Sequence, residues 1–145
     1  MLRAALVCIG LLFGASALAA DYGSIGKPGV VLYDGPSLNA EKAFVAPLGM
    51  PVELLSLIDQ WVKARDQSGQ SFWLLRTDLS PKRTLVVVRN TPVHASASDD
   101  ARIVFSVAEG VLLDLVEATP VSGWARVRHA TGGAGYVRSQ DVWGL

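Results

Sequence analysis

The chain has 145 residues, with 13 Lys and Arg against 13 Asp and Glu, and a single cysteine. That balance excludes a global electrostatic pull toward nucleic acid or anionic lipid, so any recognition by charge has to be local. The length fits one domain or two small ones.

Residues 1–20, "MLRAALVCIGLLFGASALAA", read as a signal-peptide helix. Arg3 comes first, then an apolar run, then Ala17 and Ala19 spaced for cleavage after Ala19 or Ala20. The run falls short of the ~20 residues that comfortably span a bilayer, which favours cleavage over an uncleaved anchor. The expectation is a periplasmic or secreted protein with no membrane attachment once the leader is gone. Cys8 lies inside the run, without the small residues before it that lipid attachment needs. No disulfide can therefore support the mature fold, although export leads to an oxidising compartment. Loss of Arg3 leaves 12 basic residues against 13 acidic ones, a net charge of about −1.

The rest of the chain says the same thing twice, in residues 21–80 and 81–145. "YDGPSLNAEKAF" ends at Phe44 and "HASASDDARIVF" at Phe105, 61 positions apart, as are Gly49 and Gly110. Beyond the next loop the offset is 63: Trp61 with Trp124, Gly69 with Gly132, Trp73 with Tyr136, Asp78 with Asp141. One two-residue insertion near "TPVSG" accounts for the change. A long period present only twice indicates duplicated domains rather than a solenoid.

Each copy has the punctuation of an all-β unit. Short runs of Val, Leu and aromatics alternate with turn clusters, "DGPS", "PLGMP" and "DQSGQ" in the first copy, "HASASDD", "AEG" and "HATGGAG" in the second. "QSG" and "TGG" place Gly69 and Gly132 where tight hairpins need positive φ. A unit of about 60 residues buries only ~60% of its unfolded surface, so two copies packed together gain where one is marginal. The connection Ser80 to Thr84, "SPKRT", is too short for independent tumbling. Trp143 falls outside the repeat and either packs at the junction of the halves or sits in a frayed tail.

The ordered set of motifs resembles a bacterial Src-homology-3 (SH3) domain, twice. Gly35-Pro36-Ser37, Gly49 and "WVKAR" carry the resemblance in copy one; Gly110, "WARVR" and "GYV" carry it in copy two. Phe72 stands where the family usually has Gly, and copy two lacks the Gly-Pro-Ser turn. The layout also resembles exported two-repeat proteins of Gram-negative bacteria. The resemblance implies two small five-stranded SH3-like barrels in tandem, and binding rather than catalysis. Such domains commonly accompany cell-wall hydrolases and contact peptidoglycan or its stem peptides; no hydrolase sequence accompanies the repeats here.

Alternation points to where a ligand would sit. In "WARVR", Ala125 and Val127 face one way and Trp124, Arg126 and Arg128 the other; in "WVKAR", Trp61, Lys63 and Arg65 share the second face. Charged residues are rarely buried unpaired, so the tryptophan side is expected to be wet. The functional reading is a platform of indole and cations for a sugar ring or peptide side chain and a carboxylate, with Trp73 and Tyr136 as further members. The structural reading has loops covering the indole and Arg126 stacked on it. "VLYD" at Val31 to Asp34 resembles the start of a polyproline groove. The Pro and Tyr that complete such a groove are missing near Arg76 to Leu79, so that ligand is not expected.

Other chemistry finds little support. His94 and His129 occupy non-equivalent repeat positions and read as surface histidines without enough ligands for a metal. Asp99-Asp100 reads as a solvated turn, and Gly132-Gly133 as a hairpin tip rather than a phosphate loop. No Gly-x-Ser-x-Gly elbow or similar constellation is present. The reading is a non-enzymatic module without cofactor, whose partner is peptidoglycan or a periplasmic protein; the rival is a purely structural or protein-interaction role.

Overall fold

Alternation along the strands decides where the core of each half lies. The computed structural model describes residues 20–117 and 122–145; residues 1–19 of the expected leader lie outside them. The first half runs β1 Asp21–Ile25, β2 Val30–Tyr33, β3 Lys42–Ala46, β4 Pro51–Ile58, β5 Trp61–Arg65, β6 Ser71–Leu75 and β7 Leu79–Ser80. Ile25, Leu32, Ala46, Val52, Val62 and Phe72, from six different strands, meet in one buried cluster. A sheet whose strands all feed one cluster must curl around it, and this one does, in the antiparallel order β3-β2-β6-β5-β4-β1-β7.

The second half repeats the plan. Its strands are β8 Thr84–Val87, β9 Thr91–His94, β10 Ile103–Val107, β11 Leu112–Leu115, β12 Trp124–Arg128, β13 Ala134–Arg138 and β14 Val142–Trp143. The order β10-β9-β13-β12-β11-β8-β14 is the same permutation. Leu85, Val93, Val107, Leu113, Val127 and Val137 lie in its core cluster. Each copy thus has seven strands where the resemblance implied five. A turn splits the N-terminal run into two strands, and the last two residues of the sheet return to pair with the first strand. A short 3-10 turn precedes that return, Arg76–Asp78 in one copy and Ser139–Asp141 in the other. Both turns are tied by an ion pair, Lys27 to Asp78 at 2.8 Å and Arg89 to Asp141 at 3.2 Å.

Two glycines are required by geometry. Gly69 has φ +87 at the hairpin between β5 and β6, where side chains are strained. At Gly135 in β13, a Cβ would fall 2.5 Å from the His94 carbonyl oxygen, so the strands could not approach this closely with a side chain there.

The halves are joined by more than the linker. Ser24 Oγ donates to the Lys82 carbonyl and Thr84 Oγ1 to the Gly49 carbonyl, both at 2.8 Å. Trp143 packs edge-on against Tyr22 with ring centres 5.4 Å apart, and the Arg83 guanidinium lies 5.2 Å from the centre of the same tyrosine ring. Arg83 also donates to the Gly144 carbonyl at 2.7 Å. Trp143 therefore belongs to the junction and not to a frayed end. Among the described residues, no helix is long and apolar enough to cross a membrane.

Candidate functional site

On β5 and β12, Val62, Ala64, Ala125 and Val127 enter the cores, which sends Trp61 and Trp124 to the opposite face. That face is not wet at the indoles. Trp61 is 7% exposed and Trp124 4%, which corrects the expectation of open aromatic surfaces. Tyr33 from β2 stands edge-on to Trp61 at 5.5 Å, and His94 from β9 edge-on to Trp124 at 5.2 Å. The Arg138 guanidinium covers Trp124, 4.5 Å from the ring centre, and is itself held by Asp99. The reason is size: a neighbouring strand and loop can roof over an indole on a sheet's outer face, recovering burial that alternation alone would forfeit.

The cations separate accordingly. Arg126 does not stack on the indole; it donates to Glu117 at 2.9 Å, and that bond pushes its pKa further up. Arg65 is held by Glu53 at 2.6 Å. Arg128 is exposed, and Lys63 is partly buried between Ser56 and Trp73. Neither makes an ion pair among the described residues.

What the sheet brings together instead is a cross-strand row. Tyr33 faces Trp73 and Trp73 faces Lys63 in register. In the second barrel His94 faces Tyr136 and Tyr136 faces Arg126. Directly opposed residues share a face, so each barrel carries an aromatic, a second aromatic and a cation side by side. Trp73 and Tyr136, at the middle of each row, are both partly exposed, and the sealed indoles lie beside them. The row can offer a ring face for stacking and a cation for a carboxylate.

Tyr33 and His94 were missed as members, though they stand 61 positions apart like Phe44 and Phe105, which is the signal that could have found them. His94 is also not a surface histidine: it is buried, and its Nδ1 donates to the Ala101 carbonyl at 3.0 Å. His129 is partly buried and holds Thr131 Oγ1 at 2.7 Å. Asp99 is engaged by Arg138 rather than merely solvated. Among the described residues there is no cluster of three or more His, Cys, Asp or Glu that could hold a metal.

The architecture of two small barrels with repeated outer rows is matched by sequence. The model of the bacterial SH3 domain family matches twice, over residues 26–81 and 83–144. The chain belongs to that family, as a tandem of two such domains. No curated protein matches it. Among solved structures it is similar to two proteins of Trichomonas vaginalis, NlpC2 and NlpC1. Identity to NlpC2 is 15%, over 86% of this chain and 48% of that one, with a TM-score of 0.37. For NlpC1 the values are 15%, 88%, 47% and 0.38. A Bacillus cereus NlpC/P60 family protein is 13% identical over 84% of this chain and 55% of its own, at a TM-score of 0.38. The chain spans about half the length of these proteins.

Proposed function

We propose that the protein is a non-enzymatic binding module of the bacterial cell envelope, exported by its leader, which recognises peptidoglycan fragments or stem peptides. The single observation that carries this reading is the duplicated row, Tyr33–Trp73–Lys63 and His94–Tyr136–Arg126. An aromatic face beside a cation suits a sugar ring or apolar side chain linked to a carboxylate, and two rows on one chain add avidity on a repetitive polymer. The proposed sites are therefore Trp73, Tyr136, Lys63 and Arg126, with Arg65 and Arg128 at the rim. Trp61 and Trp124 act as the floor that orients them. The test is co-sedimentation with purified sacculi. The protein is expected in the pellet, and replacing Trp73 and Tyr136 together by Ala is expected to leave it in the supernatant, still folded. A wild-type protein that stays soluble with sacculi sinks the reading.

A protein-interaction role is the second reading, and one observation favours it. Val45 is 61% and Leu48 55% exposed in the first barrel, where the second has Ser106 and Glu109 at the same repeat positions. The second copy exposes Ile103 and Val104 on the matching strand, where the first has Lys42 and Ala43, so each copy presents its own apolar side chains there, a surface for protein contact. In that case sacculi do not retain the protein and crosslinking in the periplasm captures one partner. Fractionation of cells, with the mass of the purified chain, tests both export and cleavage.

A further inference from the structure

The first barrel has an open strand edge that the repeat does not require. β4 is eight residues long against four in β11. β1 follows β4 only to Asp21 opposite Leu54, whereas β5 pairs with it out to Ile58. On the side away from β5, the backbone N–H and C=O groups of Leu55–Ile58 face no strand among the described residues. Cleavage after Ala19 or Ala20, expected from the leader, leaves this edge without a continuation of β1. Leu57 is 54% and Ile58 50% exposed on the same segment.

A groove of about 830 Å³ runs along that edge. Tyr22, Leu54, Leu57 and Val62 supply apolar wall, and Arg76 and Arg83 supply charge. Asp21 is the one carboxylate of the lining. Arg83 Nε is buried without a hydrogen-bond partner in the protein. The volume is that of a small-ligand site. An unpaired strand edge takes another extended chain, whose main chain supplies the missing bonds while alternate side chains enter the groove. The guanidinium groups add a demand for a carboxylate.

We propose that this groove binds an extended peptide with alternating apolar side chains and a carboxylate, added as a strand to Leu55–Ile58, with the carboxylate at Arg76 and Arg83. A second copy of the chain fits less well. Two β4 edges paired about a two-fold axis place the same guanidinium groups on both sides and leave them unmatched. None of Tyr33, Trp73 and Lys63 lines the groove, although Ser56 of its wall faces Lys63 across the sheet, and the proposal stands whether or not the rows bind sacculi.

The test uses the processed protein and a fluorescein-labelled pentapeptide of alternating Val and Thr, with either a free or an amidated C-terminus. Saturable binding of the acid form is expected, with slowed hydrogen exchange at the Leu55–Ile58 amides. Amidation or Arg76→Glu weakens binding about tenfold, the worth of one charge-assisted hydrogen bond. Arg76 is exposed, so an unchanged melting temperature shows that the fold of that variant is intact. Trp73→Ala leaves peptide affinity unchanged. Absence of saturable binding, equal affinity for acid and amide, or unslowed exchange at these amides overturns the proposal. So does concentration-dependent dimerisation that protects the same amides without peptide.

Discussion

Arg138 lies over Trp124, its guanidinium 4.5 Å from the centre of the indole and held in place by Asp99. In the first barrel the same repeat positions hold Leu75 and Leu38, so no ion pair can form over Trp61, which instead lies opposite Leu75 in the sheet and edge-on to Tyr33. The roof is the part of the design that changed while the floor stayed. Replacing Arg138 by Ala is expected to shift Trp124 emission to the red and raise its quenching by iodide. The loss of the cation–π contact costs about 1 kcal/mol, read by denaturant titration. Asp99→Ala is expected to do the same more weakly, because the guanidinium stays nearby but is no longer held.

The two kinds of outer-face aromatic should respond differently to truncation. Trp61→Ala and Trp124→Ala each empty a sealed site and are expected to cost about 3–5 kcal/mol, read by chemical denaturation. Trp73→Ala and Tyr136→Ala remove partly exposed rings and are expected to cost about 1 kcal/mol or less. Their effect should fall on sacculus binding. If all four variants lose stability equally, the rows are roof rather than platform.

The junction of the barrels is held by an aromatic edge, the Arg83 guanidinium over Tyr22 and two hydroxyls, of Ser24 and Thr84. Trp143→Ala removes the packing against Tyr22 and is expected to cost about 2 kcal/mol. Thr84→Val leaves the Gly49 carbonyl without its donor and costs about 1–2 kcal/mol. Combined, they are expected to split a single calorimetric transition into two, as barrels that no longer share an interface unfold separately.

Alkaline pH should loosen the same junction. Burial first, then the nearby Glu53 carboxylate, raise the Tyr22 phenol above its ordinary 10.0, outweighing the opposing Arg65 and Arg83. A phenol whose folded pKa is raised contributes stability that is fully present below pH 10.0 and lost as pH rises through the folded value. Melting temperatures followed upward from pH 9 are expected to fall more steeply for the wild type than for Tyr22→Phe. Identical slopes would show that the phenol is not coupled to folding.

Sequence alone was enough for the duplication, the all-β class and the inward face of every strand named in advance. Val62, Ala64, Ala125 and Val127 point inward because a period of two admits no other arrangement once one face is apolar. What it could not decide is what lies across the outer face. Whether Trp124 meets water depends on His94, 30 residues earlier, and on Arg138, brought over it by the pairing of β9, β13 and β12. Alternation is a local property of one strand, whereas coverage is set by which strands become neighbours. The open edge at Leu55–Ile58 belongs to the same class: it exists because β1 stops opposite Leu54 while β5 continues, a difference in length between two partners that neither segment contains by itself.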